Sequence, residues 1–443
     1  MNDLEQAFAA LTEKQRRVST SFAYYDGEHG LVYSTRRLRE VWRDLDAKFV
    51  QNWCAVVIDA LIDRITLTSL AVGDDDALTA ELAGLYQSSG LIHDVRDVHL
   101  AVSVTGEGFV IAWPGDDGQI EAYYNDPRLC HVAYDQDNPR RKAWAAKWWQ
   151  SDGGTRLNLY YPDRIEHYVS QRKASDTASA SGFTLDTVDA NPYGEIPVFH
   201  FRLSRRRIIG ELATIRPLQD AINKLLADTM IAAEFGAFRQ RYIISQAGVQ
   251  GALKNAPNEI WDLPAGDGTG QGTQVGEFGQ TDLTGYQGMM DKLAQSIAII
   301  SRTPRHYLMA QGGDPSGEAL LTMESPLTKR ANQFITAVYP TWQELGAFLL
   351  RLAGRTVSAV MIVPQFERIE AISPMAQAAI RKTAVEAGVP LVTAVRDEGW
   401  TQAEIDQMLA DKQAEASIAQ TSLATALLAQ QRQFDQGQGV VGA

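Results

Sequence analysis

The chain has 443 residues, with 41 Lys plus Arg against 54 Asp plus Glu, a formal net charge of −13 and 2 cysteines. Its 45% hydrophobic and 21% charged content excludes a wholly disordered chain, and the length is that of two or three domains. The acid excess argues against tight binding to DNA phosphates, which needs clustered Lys and Arg, but not against a role in which DNA must pass without sticking.

No apolar run approaches the ~20 residues that span a bilayer. The N-terminus, Met1-Asn2-Asp3-Leu4-Glu5, lacks the basic and apolar regions of a signal peptide. Cys54 and Cys130 can make neither a disulfide framework nor a four-ligand zinc site. Both are expected in cores as small hydrophobes, in keeping with a reducing cytosol.

Leu4, Phe8 and Leu11 share one face of a first helix. Val50, Trp53, Val57, Leu61 and Ile65 recur every three or four residues and predict another, and a third is expected over Asp76–Tyr86. From about Ala101 the pattern changes to short strands. Gly108–Trp113, Ala143–Trp149, Leu157–Tyr161 and Ile165–Val169 are rich in β-branched and aromatic residues, and Gly/Pro/Asp/Asn turns separate them. They read as an antiparallel meander. Ala174–Gly182 reads as an exposed loop, and Ile196–Phe201 as a further strand.

Ile215, Leu218, Ile222, Leu225, Ile231 and Phe235 predict a helix over Thr214–Gln240, with Pro217 tolerated in its first turn. Strand-like pieces follow at Arg241–Ser245 and Glu259–Leu263, then the Gly-rich Ala265–Gly272. Met289, Leu293, Ile297 and Ile300 predict a helix over Tyr286–Ser301. After the loop Ala310–Gly317 comes the most regular pattern of all: Leu327, Ala331, Phe334, Val338, Trp342, Leu345, Leu349 and Leu352. Pro326 and Pro340 lie inside it, so a kink or break is expected at one or both. Ser373-Pro374 opens a further helix that stops at Gly388, with Pro390 beyond, and Thr401 with Glu404 forms a capping box. Residues 437–443 are expected to fray.

Fragments that suggest enzyme chemistry each miss a requirement. Gly266–Gly272 has no Lys-Ser/Thr and no G-x-G-x-x-G frame, and reads as a loop tip. Asp135-Gln136-Asp137-Asn138 lacks the glycine and distal glutamate of a calcium loop and reads as a hairpin turn. His93 and His99, six residues apart on a helix, cannot share a metal and read as partly exposed helix surface. Arg36-Arg37 and Arg205-Arg206-Arg207 are short basic clusters that either touch nucleic acid, pair with a neighbouring subunit, or form a solvated face. No metal, cofactor or catalytic residue is expected.

The informative features are architectural. Two amphipathic helices bracket an insert of about forty residues and should run antiparallel, with the insert at their far end. A long helix follows after a Gly/Pro/Ser loop. These apolar faces exceed what one small bundle covers, which points to packing against copies of the same chain around a closed axis.

Read in order, several segments make the chain resemble the portal (head-to-tail connector) proteins of tailed bacteriophages, siphophage branch. They are Tyr24-Tyr25-Asp26-Gly27-Glu28-His29, Asn52–Ala60 with Arg64, Asn191–Val198, Gly210–Lys224, and Thr303–Leu308 followed by Pro315–Leu320. The resemblance runs from about Leu4 to Leu409. It implies an α+β portal fold, with a mixed α/β wing, a helical stem, a small α/β clip and a helical crown, assembled as a ring that is dodecameric in the virion.

By this resemblance, residues 1–213 are wing, 214–240 and 286–301 stem, and 241–285 clip. Residues 302–317 hold the tunnel loop, 318–371 the kinked helix and a wing strand near Ser358–Ile369, and 372–443 the crown and C-terminal tail. The implied DNA-channel residues are Gln311, Gly312, Gly313, Asp314, Pro315, Ser316 and Gly317. The implied clip residues, which dock terminase and later the adaptor or tail, are Arg241, Lys254, Glu259, Asp262, Asp267, Glu277 and Asp282. Two bases against five acids give the clip segment a balance of −3, which suits a passage through which DNA slides. The implied partners are other copies of the chain, double-stranded DNA, terminase, major capsid and scaffolding proteins, and head-completion or tail proteins. No membrane is implied. The implied location is the portal vertex of the virion, after assembly in the host cytoplasm. A soluble hydrolase or nucleotide-binding enzyme, and a phage-head protein other than the portal, are the alternative readings.

Overall fold

The structure is a computed structural model that describes residues 2–30, 50–73, 75–115, 117–151, 154–170, 180–237, 241–244, 274–277, 282–308, 317–369, 374–398, 400, 404–415 and 417. It divides into two compact units, residues 1–369 and 370–443.

The first unit opens with helix α1 (Asp3–Tyr25), started by a capping box in which the Asn2 side chain accepts from Glu5 N–H and the Glu5 carboxylate accepts from Asn2 N–H. Helix α2 (Trp53–Ile62), strand β1 (Leu67–Val72), and helices α3 (Asp76–Ser88) and α4 (Leu91–Thr105) follow. Helix α4 carries the chain to Thr105, where strand was expected from Ala101. Val102 and Val104 alternate with Ser103 and Thr105 as they would in a strand, and Gly106, with φ +90°, marks where helix ends and strand begins.

Strands β2 (Glu107–Pro114), β3 (Ile120–Asn125) and β9 (Val198–Arg202) form a three-stranded antiparallel sheet in the order β3-β2-β9. The expected meander is present in part: β4 (Cys130–Tyr134), β5 (Lys142–Ser151), β6 (Gly154–Tyr160), β7 (Arg164–Ser170) and β8 (Thr184–Ala190) form a five-stranded sheet in sequence order, while Gly108–Trp113, expected in the same meander, lies in the three-stranded sheet. The turn at Asp135 closes β4 onto β5, with Arg141 N–H donating to the Asn138 carbonyl. Phe109, Ile111 and Val198 of the smaller sheet bury against Cys130, Val132, Ala145, Tyr160 and Ile165 of the larger one. Helix α1 covers part of the five-stranded sheet, setting Ala7 and Leu11 among Trp144, Trp148, Leu157 and Leu159. Cys54 and Cys130 are both buried and unpaired, and burial pushes their thiols up to about 12, so both are inert hydrophobes as expected.

Helix α5 (Arg216–Ala237), the ladder of β10 (Arg241–Ile244) and β11 (Gln274–Glu277), and helix α6 (Thr284–Ser301) come next. The β11 strand was not foreseen. Its sequence, Gln-Val-Gly-Glu, is short and polar and is specified by its partner, not by its own propensity.

Helix α7 (Gly317–Leu352) follows. Leu327, Ala331, Phe334, Val338, Trp342, Leu345 and Leu349 are each at most 2% exposed. They pack with residues of α2, α3, α4, β9 and β12 (Ile362–Phe366). The apolar seam of α7 is therefore covered by its own chain, contrary to the expectation that it would look to a neighbour. Helix α7 is also unbroken through Pro326 and Pro340. Strand β12 pairs antiparallel with β1, so segments nearly three hundred residues apart share one ladder.

One close approach locks this unit. A Cβ on Gly210 would stand 2.0 Å from the Val104 carbonyl oxygen, and a Cβ on Gly106 would stand 2.5 Å from Ile209 N. Backbone meets backbone here, and nothing can yield. The variant Gly210→Ala is expected to lose at least ~2 kcal/mol in thermal or urea unfolding; unfolding indistinguishable from wild type would contradict the packing.

The second unit holds α8 (Pro374–Glu386) and α9 (Leu391–Asp397), with residues 404–415 also helical. Helix α8 stops as expected at Gly388, whose φ is +95°, with Val389 N–H bonding back to the Ala384 carbonyl. The expected cap residue Thr401 lies outside the described residues.

Candidate channel and docking elements

Helices α5 and α6 pack against each other, and the β10–β11 ladder joins their far ends. The insert between them is tied at its base by the pairs Arg241–Glu277, Tyr242–Gly276, Ile243–Val275 and Ile244–Gln274. The strand residues Tyr242, Ile244 and Val275 remain exposed at its surface. On the helices, Met230 (43% exposed), Met289 (56%), Ile299 (60%) and Ile300 (48%) stay uncovered. The excess apolar surface foreseen for this region thus lies on α5 and α6, and not on the α7 seam.

Among the expected clip residues, Arg241 and Glu277 face each other across the ladder. Asp282 caps α6. Its Oδ1 accepts from the Thr284 backbone N–H at 2.9 Å and from the Thr284 hydroxyl at 2.5 Å. These bonds hold its carboxyl below the usual carboxylate range. Lys254, Glu259, Asp262 and Asp267 lie outside the described residues, as do Gln311, Gly312, Gly313, Asp314, Pro315 and Ser316 of the expected tunnel loop. Gly317 is the first residue of α7.

The flanks of that loop are tied together. Arg64, just beyond α2, donates to the Tyr307 hydroxyl at 2.9 Å and to Glu324 Oε2. Glu324 Oε1 also lies 3.1 Å from His306 Nε2. His306 and Tyr307 precede the loop, and Glu324 follows it on α7. Arg64 and Glu324 are only 15% and 16% exposed, so the pair is shielded from solvent. The variant Arg64→Ala is expected to lower stability by about 2 kcal/mol, as a part-buried hydrogen-bonded charge does when its partner is removed. Thermal unfolding identical to wild type would show that the clasp carries no weight.

A second polar junction sets the base of α5. Tyr24 donates to Asp220 Oδ1 at 2.7 Å, and the Arg216 guanidinium sits 5.2 Å over the Tyr24 ring. Gln219 accepts from Trp53 N–H at 3.0 Å and donates to the Gln51 carbonyl, while Asn223 accepts from Gln51 N–H at 3.2 Å. Asn52 donates to the Tyr25 carbonyl at 2.6 Å and caps α2. Three of the segments singled out in the sequence, at 24–29, 52–60 and 210–224, therefore meet in one network. Their polar residues satisfy the backbone at the start of α2. Burial raises the Asp220 carboxyl, with Tyr24, His29 and Arg216 pulling it back.

The two histidines weighed as a site sit apart. His93 is exposed. His99 is fully buried, which corrects its expected place on a partly exposed surface. Its Nε2 accepts the Trp342 indole N–H at 3.1 Å, and burial lowers its pKa to about 3, so it is a neutral core acceptor. Among the described residues no group of three or more His, Cys, Asp or Glu could hold a metal ion, and no helix is long and apolar enough to cross a membrane.

A cluster that the sequence did not reveal lies between α1 and the three-stranded sheet. Glu107, 2% exposed, sits 2.6 Å from an Arg17 guanidinium nitrogen, 3.3 Å from Lys14 Nζ and 3.2 Å from His200 Nε2. The one available signal was an acid opening an otherwise apolar strand run, Glu107–Pro114, since a buried carboxylate requires partners.

The family "Phage portal protein, SPP1 Gp6-like" matches residues 4–417, and the chain belongs to that family. Its function is that of a phage portal, or head-to-tail connector. The family is structural, not enzymatic, and its members are virion capsid components that form ring oligomers with capsid and tail partners. No curated protein matches the chain. Among solved structures it is similar to a chain of the "Neck of empty GTA particle computed with C6 symmetry", at 13% identity and a TM-score of 0.43, over 85% of this chain and 94% of that one.

Proposed function

We propose that the chain forms a dodecameric ring at one capsid vertex, through which double-stranded DNA is packaged and later ejected. The ring docks terminase during packaging, and head-completion or tail proteins afterwards. It assembles in the host cytoplasm with major capsid and scaffolding proteins and has no catalytic activity of its own. The observation that carries this reading is the antiparallel pair α5–α6, with a strand pair at its tip and uncovered apolar residues along it, in a chain of the portal family.

In this reading residues 1–213, with β12, are wing, α5 and α6 are stem, and 241–285 are clip. Residues 372–443 are crown and tail. Arg241, Lys254, Glu259, Asp262, Asp267, Glu277 and Asp282 supply the weakly acidic clip. Gln311–Gly317 are the tunnel loop beside the DNA, where the Gly, Ser and Gln residues, each small or uncharged, act sterically. Pro326 and Pro340 bend α7 without breaking it; the ring of Pro340 removes the N–H that the Thr336 carbonyl would otherwise accept. The Arg64–Glu324 clasp anchors both ends of the loop.

The test is packaging by the Gly312→Pro/Gly313→Pro variant. It is expected to form rings but fill few heads. Normal yields of DNA-filled heads would remove the loop from the mechanism.

A further inference from the structure

Beside the wing sheets lies a cavity of about 220 Å³ lined by Tyr134, Arg140, Lys142, Arg202, Arg205 and Glu344, among others. Four cations face one acid there, in a chain whose net charge is −13. Glu344 is taken up by Lys142, at 3.5 Å, and Lys142 also sits 4.5 Å over the Phe199 ring. In the adjoining larger cavity Asp135 is taken up by Arg141 at 2.5 Å, and Glu195 by Arg351 at 2.6 Å. Each nearby carboxylate therefore has its own cation.

Arg140, Arg202 and Arg205 have no carboxylate partner among the described residues. The Arg202 guanidinium lies 4.1 Å over the Tyr134 ring. Stacking occupies a face of the guanidinium and holds it in place, and it leaves the N–H edge available. Tyr134 is itself fixed by its contact with His200 Nδ1 at 3.2 Å, and His200 by Glu107. The wall of the cavity is thus tied into the buried Glu107 cluster, while Arg140 and Arg205 stand at its rim, exposed. Arg205 opens the basic run Arg205-Arg206-Arg207, for which no ion-pair partner is found among the described residues.

We propose that this cavity is a binding site for a phosphate-type oxyanion, held by Arg140, Arg202 and Arg205. Three guanidinium forks match the oxygens of a multiply charged anion in pairs. The volume of about 220 Å³ accommodates one phosphate or pyrophosphate group.

Calorimetric titration of the full chain with sodium pyrophosphate at low ionic strength tests this. Wild type is expected to bind one pyrophosphate per chain, and the Arg140→Gln/Arg205→Gln variant to bind at least ~10-fold more weakly. Both substitutions are at exposed positions, so an unchanged thermal midpoint checks that the fold is intact. A short DNA duplex added as competitor assigns the source. Displacement of pyrophosphate identifies a nucleic-acid strand phosphate, and no displacement identifies a free one. Equal binding by wild type and variant, or no binding by wild type, overturns the proposal. Binding of a glutamate-rich peptide without binding of pyrophosphate also overturns it, in favour of an acidic protein partner.

Discussion

Replacing Glu107 by alanine is expected to destabilise the protein by about 3–5 kcal/mol, the range for removing one member of a buried ion-pair group. Burial opposes ionisation of Glu107. The His200 hydrogen bond and the charges of Lys14, His200 and Arg17 outweigh it, and hold the carboxyl well below the usual range. Lys14 is 6% exposed, lies at ion-pair distance without a hydrogen bond, and depends on Glu107 for compensation. Burial lowers its pKa and Glu107 draws it back up. Changing both groups at once, as in Lys14→Met/Glu107→Leu, is expected to recover most of the loss. Urea unfolding measures both variants; a loss under ~1 kcal/mol for Glu107→Ala contradicts the account.

The same cluster sets a pH dependence. Glu107 has a depressed folded pKa, so its contribution is complete above the ordinary carboxylate range and is lost as pH falls through it. Burial lowers His200 to about 4 against the 6.5 of a free imidazole. Between those values the unfolded chain takes up a proton that the folded one refuses, which also favours unfolding as pH falls. The thermal midpoint should therefore decline from pH 6.5 downward. The decline should be shallower in Glu107→Ala, which has already lost the carboxylate contribution.

The second large effect is on assembly. Ile299→Asp combined with Met289→Asp should leave the monomer folded, because both positions are exposed at 60% and 56%, yet abolish ring formation. Surface changes of this kind normally alter monomer stability by about 0.5 kcal/mol or less. A carboxylate buried unpaired at each contact of a ring costs several kcal/mol. Sedimentation velocity of the variant should show a single chain where wild type shows a large particle. A variant that still assembles would place the ring contacts elsewhere.

What the sequence reveals and conceals follows from the range of the forces involved. The seam of α7 is legible because a spacing of three and four is a local property, and its seven residues from Leu327 to Leu349 are buried as that spacing requires. Who covers the seam is not local. The cover comes from α2, α3, α4, β9 and β12, elements up to nearly three hundred residues away. Proline at 326 and 340 signals a missing hydrogen bond, yet packing along the whole helix carries it across both positions.

His99 reads as surface because Asp94, Arg96 and Asp97 surround it in sequence. It shares its face with Val95, Val98 and Val102, and the indole N–H of Trp342 gives its nitrogen a partner. The motif at Arg216–Asn223 is legible as a pattern, while its purpose of tying α5 to Tyr24, Gln51 and Trp53 needs three dimensions. Arg64 and Glu324 carry no local signal as a pair, being 260 residues apart.

In the proposed ring, the uncovered apolar faces of α5 and α6 are buried between copies of the chain around an open axis. Single-particle electron microscopy of the purified full-length protein addresses it most directly. The account predicts closed rings with a central channel, lined by the stem, in which Met289 and Ile299 contact the adjacent subunit. A particle that remains a single chain at high concentration, or that assembles with α5 and α6 facing solvent, would contradict it.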